Sequence, residues 1–202
     1  MNRDDDHYDD DSCRDKHRRR KCWIELECEP CHDDGHQHKK CASLCEFAEV
    51  FSNATQTLAP SMGANQKGQV VLLENLVTAS AGIDTTQAAA NGKVIVNKKG
   101  WYDVSLGACG SLNPVASPLA VWTLSLFKNG VIVPGSTFAN MTLSPEQKAN
   151  EIATNVLVHC GVGDVLELAN TSTAPIVLTS PVLGTNAAAN SALLKILLIK
   201  AE

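Results

Sequence analysis

No apolar stretch of this chain is long enough to cross a bilayer. A spanning helix needs ~18 uninterrupted apolar residues, whereas the best run, Ala192–Ile199, is short and holds Lys195. The first twenty residues lack the apolar core of a secretory leader. The expectation is a protein made and folded in a cytosol, with no membrane partner. An excess of positive charge is also missing: 17 Lys and Arg face 22 Asp and Glu, for a net charge of −5. That argues against a nucleic-acid partner, because cationic contacts to phosphates supply most of that affinity. The one basic run, His17–Lys21, sits among Asp4–Asp6, Asp9–Asp11 and Asp15, and these acids are expected to neutralise it. No nucleophile elbow, His-Glu-x-x-His helix, phosphate loop or dinucleotide fingerprint occurs. Nor is there an internal repeat or a Gly-X-Y run. Beyond residue 48 the only histidine is His159, and the acids Glu74, Asp84, Asp103, Glu146, Glu151, Asp164 and Glu167 are thinly spread. General acid–base chemistry needs paired candidates, so the chain reads as a non-enzyme without a committed cofactor.

What is present falls into two unlike parts. Residues 1–47 hold six of the eight cysteines, five of the six histidines and more than half of the charged residues. The first 21 positions are too polar to offset the entropy of ordering on their own. Trp23, Ile24, Leu26, Leu44 and Phe47 then appear among the cysteines, enough for a stapled knot or a docking segment but not for a core. Residues 48–67 read as a linker. Residues 68–202 read as one all-β domain, long enough to bury a core without disulfides.

Alternation sets the expected strands: Gln69–Val77, Lys93–Asn97, Trp101–Cys109, Leu119–Phe127, Val131–Val133, Asn150–Cys160, Val165–Asn170, Ile176–Thr179 and Ser191–Lys200. Asn91-Gly92 and Asn129-Gly130 read as tight turns, because Asn and Gly tolerate positive φ. Lys128-Asn129-Gly130 marks the clearest hairpin. Pro145–Lys148 suits one helical turn. In Trp101–Cys109, Tyr102, Val104, Leu106 and Ala108 share one face, and Asp103, Ser105, Gly107 and Cys109 the other. The last strand is apolar on both faces, as expected of a strand central in a sandwich or packed against another subunit. Short strands with few helices predict a β-sandwich or jelly roll.

Several motifs carry alternative chemistry. Cys28-x-x-Cys31 and Cys41-x-x-x-Cys45, with His32, His36 and His38 between them, suit a tetrahedral zinc ion wrapped by two thiolate pairs. The intervening loop is wholly polar, which leaves no core to fold round the metal. The oxidative alternative uses Cys13, Cys22, Cys28, Cys31, Cys41 and Cys45 as disulfides, some between subunits. Reduced thiols are the third. Cys109 and Cys160, on predicted strands, read as small buried hydrophobes. Asn53, Asn140 and Asn170 head glycosylation sequons that read as chance in a chain rich in Asn, Thr and Ser. Trp101, Trp122, Phe127 and Phe138 read as packing.

A family resemblance accompanies these patterns. Gly100-Trp101-Tyr102-Asp103-Val104 resembles the Gly-aromatic-Tyr-x-aliphatic strand of C1q/TNF-like jelly rolls. The segment Leu124–Ser136 is similar to a hairpin in the bacterial branch of that superfamily. Gly163–Asn170 and Ala192–Lys200 resemble its later strands. The bacterial proteins in question are the C-terminal domains of collagen-like exosporium glycoproteins of Bacillus spores, and the small exosporium proteins that anchor them. Cys45-Glu46-Phe47 resembles a Cys-Glu-Phe near the start of such anchors. The resemblance covers residues 68–202. It implies a jelly roll of about ten strands, a tight homotrimer and a structural role at the spore surface. It also implies a covalently reinforced layer, which fits the disulfide reading of the arm. The chain departs from the family in lacking a collagen stalk and in its longer, cysteine-rich arm. The function expected is therefore an anchor or fibre subunit, whose arm attaches it to neighbouring trimers or exosporium and coat proteins through the six cysteines and through Trp23, Ile24, Leu26 and Phe47. The alternatives are a trimeric binding module for glycan or protein ligands and a zinc-binding regulatory arm on Cys28, Cys31, Cys41 and Cys45.

Overall fold

The alternating pattern becomes two antiparallel sheets packed face to face. The computed structural model describes residues 46–63, 65–112, 119–143, 150–179 and 190–202. The six arm cysteines, Trp23, Ile24, Leu26 and the Pro145–Lys148 turn lie outside the described residues. The first strands are β1 (Phe47–Ser52), β2 (Gln56–Leu58), β3 (Asn75–Ala79), β4 (Ile83–Asp84) and β5 (Val94–Val96). The long β6 (Gly100–Leu112) and β7 (Leu119–Lys128) follow, then β8 (Val131–Ile132) and β9 (Phe138–Leu143). The chain closes with β10 (Asn150–Cys160), β11 (Asp164–Asn170), β12 (Ile176–Leu178) and β13 (Ala192–Ala201). One sheet runs β2-β12-β6-β13-β1-β3, with β10 also paired to β6; the other runs β4-β5-β11-β7-β8, with β9 also paired to β7.

Between the sheets lies a single apolar core. Tyr102, Val104, Leu106 and Ala108 of β6 point into it with Ala192, Leu194, Ile196 and Leu198 of β13. They meet Trp122, Leu124 and Leu126 of β7 and Leu166 and Leu168 of β11. The face assignment drawn from β6 holds at these positions, and β13 is a strand lying between β1 and β6. The Lys128-Asn129-Gly130 hairpin also forms: Asn129 (φ 52°) and Gly130 (φ 79°) both adopt the left-handed region that matches the twist of the flanking strands.

Four expectations differ from the structure. The strand expected over Gln69–Val77 forms only from Asn75, as β3, and Val70 makes a single isolated bridge to Ala169. Residues 48–67, expected as a linker, supply β1 and β2, both within the seven-stranded sheet. The cause is an unusual alternation: β1 turns the small residues Ala48, Val50 and Ser52 inward, which leaves its large apolar residues outside. Asn91-Gly92 does not join two strands; it ends the short helix α1 (Ala88–Asn91), with Gly92 at φ 66°. Finally, β9 forms from Phe138–Leu143, where the sequence Phe-Ala-Asn-Met-Thr-Leu gave no clean apolar period.

The stretch after β2 is tied down by polar contacts as well as by Val71 and Leu73, which are buried in the core. Asn170 is fully buried, and its amide donates to the carbonyls of Leu58 (3.2 Å), Ala59 (3.0 Å) and Ala174 (3.2 Å). Its side-chain oxygen accepts from the Ser172 N–H at 2.7 Å. Asn170 therefore serves as a structural bracket joining β2 to the end of β11. Nearby, the buried Glu167 carboxylate pairs with Lys67 at 2.6 Å. Removing one partner from a buried polar network leaves the others desolvated and unpaired. Asn170→Ala is therefore expected to lower unfolding free energy by about 3 kcal/mol, read from the urea midpoint at unchanged m-value. A loss below about 0.5 kcal/mol would contradict the bracket.

Candidate functional site

The outward face of the seven-stranded sheet carries the features that an isolated domain would not need. Register places its residues in rows across four strands. One row runs Phe47, Leu197, Asp103, Leu157; the next Glu49, Lys195, Ser105, Asn155; the third Phe51, Leu193, Gly107, Ala153. Two of the three rows are largely apolar. Phe47 is 40% and Leu157 59% exposed, and Ile199 extends the same face of β13 at 47%. The middle row holds an ion pair, Lys195 to Glu49 at 3.2 Å. Contiguous exposed apolar surface on a soluble domain marks a contact site. In the third row Gly107 offers no side chain, and a hollow of about 430 Å³ opens there between Asn155, Asn190, Leu193 and Lys195.

Where the arm enters the domain, the chain is clamped. The Phe47 N–H donates to Ser80 Oγ (2.9 Å), and the Ser80 N–H returns to the Phe47 carbonyl (2.8 Å). The Leu198 N–H donates to the Glu46 carbonyl at 2.8 Å. The Glu46 side chain accepts from the Gly82 N–H at 2.9 Å and lies 3.5 Å from Lys98. A Cβ at Gly82 would collide with that carboxylate, so glycine is what permits the approach. The bond from Ser80 first, then those from Gly82 and Lys98, hold the Glu46 carboxyl below its usual range. These bonds tie Glu46 and Phe47 to β13 and to the β3–β4 turn.

At the same end of the sheet, the edge strand β10 borders an apolar groove of about 410 Å³, walled by Trp101, Leu157 and the β7–β8 turn with Val131 and Pro134. Trp101 and His159 have ring centres 5.2 Å apart. His159 Nε2 lies 3.0 Å from Glu202, which also meets Lys99 at 3.1 Å. The hydrogen bonds from His159 and Lys99 hold the Glu202 carboxyl below its usual range.

Of the residues singled out from sequence, Phe47 falls on this face and begins β1. Trp122, Phe127 and Phe138 are buried, whereas Trp101 is 39% exposed in the groove wall. Cys109 and Cys160 are both buried, and no disulfide joins them. The ladder puts Cys109 opposite Glu151 and Cys160 opposite Gly100, at opposite ends of β6. Burial pushes the Cys160 thiol up to about 11, with the Asp164 charge adding to it. Among the described residues no three His, Cys, Asp or Glu side chains converge as a metal site. Sequence reasoning missed the Glu46 clamp and the β10 groove, since both depend on register between distant strands. The one available signal was Phe47-x-Glu49-x-Phe51, an alternation whose large members face outward.

Comparison with known proteins bears on the fold. The globular domain of a zebrafish complement 1qA protein superposes with a TM-score of 0.50 at 12% identity, covering 78% of this chain and 99% of that one. The C1q/TNF-like jelly roll is the fold of this domain. Murine APRIL, crystallised at pH 5.0, gives a TM-score of 0.48 at 12% identity, covering 76% of this chain and 98% of that one. No protein-family model matches the sequence, and no curated protein does.

Two buried groups make the jelly roll alkali-sensitive. Burial raises Tyr102 to about 12 from 10.0, and Cys160 to about 11 from 9.0. In each case the unfolded chain gives up its proton first. Native stability is then complete below pH 9 and falls as pH rises from 9 to 12. Denaturant midpoints measured across that range should decline steadily; a flat series would contradict the assignment. At pH 8 under reducing conditions, iodoacetamide should leave Cys160 unmodified in the folded protein.

Proposed function

We propose that this protein is a structural assembly subunit whose domain forms a homotrimer and whose cysteine-rich arm links trimers to one another or to a surface layer. The observation that carries the reading is the outward face of the seven-stranded sheet. Strand β13 is apolar toward the core and apolar again outside, at Leu193, Leu197 and Ile199. Covering those rows with the same face of two further copies removes apolar surface from water at about 25 cal/mol per Å². A closed ring of three also leaves no open contact to propagate, as point-group symmetry requires. Complement 1qA and APRIL share the architecture, and the family resemblance of Gly100–Val104 and Leu124–Ser136 implies the same oligomer. The Glu46 clamp supports the second half of the reading, because it gives a tethering arm a rigid point of attachment.

The reading goes further on the strength of the sequence motifs. Cys45-Glu46-Phe47 and the hairpin segment resemble exosporium anchor proteins, so the layer proposed is the spore surface, reached from the mother-cell cytosol. Cys13, Cys22, Cys28, Cys31, Cys41 and Cys45 serve as cross-links, and no catalysis is assigned. A second reading rests on the hollow at Gly107: its polar walls, Asn155, Asn190 and Lys195, suit a glycan, and a trimer that left this hollow open would act as a binding module. A glycan array probed with the full chain separates the two readings. Zinc on Cys28, Cys31, Cys41 and Cys45 remains a reading of the arm alone, tested by metal content after purification under reducing conditions.

The trimer has a direct test. In reductant the full chain is expected to sediment with the mass of three chains. Leu197→Glu, which places three carboxylates in the covered rows, should reduce this to one chain while leaving the far-ultraviolet spectrum unchanged. A one-chain mass for the unaltered protein would overturn the reading.

A further inference from the structure

A closed ring of three cannot press one patch against itself. Only a two-fold axis makes a contact self-complementary; in a ring of three, each copy offers one patch to one neighbour and a different patch to the other. The outward face of the seven-stranded sheet has two such ends. Its rows begin on β1 and β13 and finish on the edge strand β10. The two ends differ in shape and chemistry, and they differ row by row.

In the first row both ends are bulky and apolar, with Phe47 and Leu197 at one and Leu157 at the other. In the third row one end is large, at Phe51, and the other is small, at Gly107 and Ala153. The hollow of about 430 Å³ lies at that small end, with room for a phenyl ring. The middle row is polar at both ends. The Glu49–Lys195 pair occupies one, with side chains 29% and 49% exposed. Exposed Asn155 occupies the other. An amide carries a donor and an acceptor together, so it can bond to a carboxylate and an ammonium at once.

These ends match only at equal height. A rotation about an axis along the strands keeps every row at its own level. With β10 of one copy against β1 and β13 of the next, Leu157 meets Phe47 and Leu197, and the Asn155 amide meets the ion pair. Phe51 meets the hollow. A slip of one row moves the contact by two residues, about 6.8 Å. Leu157 or Ala153 would then cover the Glu49–Lys195 pair, which loses its water and gains no bond in return. The slip would also repeat from copy to copy. It sums to about 20 Å over three copies and leaves an open helix in place of a ring.

We propose that the Asn155 amide of one copy bonds to the Glu49–Lys195 pair of the next, and that this polar row fixes the level at which the ring of three closes. Phe51 of each copy fills the Gly107 hollow of its neighbour. This rests on the homotrimer reading, and it names the residues that select a closed ring over an open assembly.

The test uses the full chain with its six arm cysteines changed to serine, so that introduced thiols meet no arm thiol. Asn155→Cys and Glu49→Cys are combined, and the folded protein is oxidised to completion with oxidised glutathione. Within one copy the two positions are three strands apart, about 14 Å, too far for a disulfide. Between level neighbours they meet at all three contacts. Denaturing gels without reductant should therefore show three covalently joined chains. Ala153→Cys with Phe51→Cys, the level pair of the third row, should give the same product. Asn155→Cys alone should stay at one chain, as should Asn155→Cys with Phe51→Cys, which stand one row apart. Asn155→Leu, with the far-ultraviolet spectrum unchanged, should raise the concentration of half-dissociation in reductant by about tenfold or more, because bonds to two charged groups are lost. Products longer than three chains, linking by the offset pair, or an Asn155→Leu trimer as tight as the original would each overturn the proposal. If neither level pair links in protein that still sediments as three chains, the trimer stands and this register fails. If the unaltered chain sediments as one, the trimer reading fails with it.

Discussion

The arrangement depends on one strand having two apolar faces. A strand at the centre of a sandwich sheet can bury only one of them in its own core. In β13 the residues Ala192, Leu194, Ile196 and Leu198 satisfy that core. Leu193, Leu197 and Ile199 are left over, and no strand of the opposite sheet can cover them. Their neighbours Phe47 and Phe51 on β1 enlarge the excess, which Asp103 and the Glu49–Lys195 pair interrupt without removing. A covered outward face follows from this, and the proposed trimer is the closed way to cover it.

How legible this was from the sequence varies by element. The strand β10 has the same ends, Asn150 and Cys160, in the sequence reading and in the structure, because its apolar residues alternate cleanly between turn signals. The β7–β8 hairpin was legible from Asn129-Gly130, whose positive φ values few other dipeptides tolerate. By contrast, β1 was hidden. Its inward residues are small and its outward residues large, so burial within one chain gives the wrong contrast. Residues 59–68 were hidden for another reason: they are held by Asn170, Glu167 and Gln69–Ala59 contacts that no apolar period announces, whereas the alternation from Gln69 does bury Val71 and Leu73 but forms a strand only from Asn75.

The candidate site was less legible than the fold. An edge is a property of the whole sheet, and nothing within Asn150–Cys160 tells that its second side pairs with no strand among the described residues. The same applies to the Glu46 clamp, which brings together residues 36 positions apart in the chain. What the sequence did show was the inequality between the parts: a domain whose described residues converge on no metal-binding cluster, and an arm that concentrates the thiols. Under the proposed function the two parts take different mechanical tasks, one closing an apolar face and the other linking to a neighbour.

Electron microscopy of the purified full chain with and without reductant tests this division most directly. The account predicts separate three-lobed particles in reductant and linked particles or fibres without it. Single-chain particles under both conditions would contradict it.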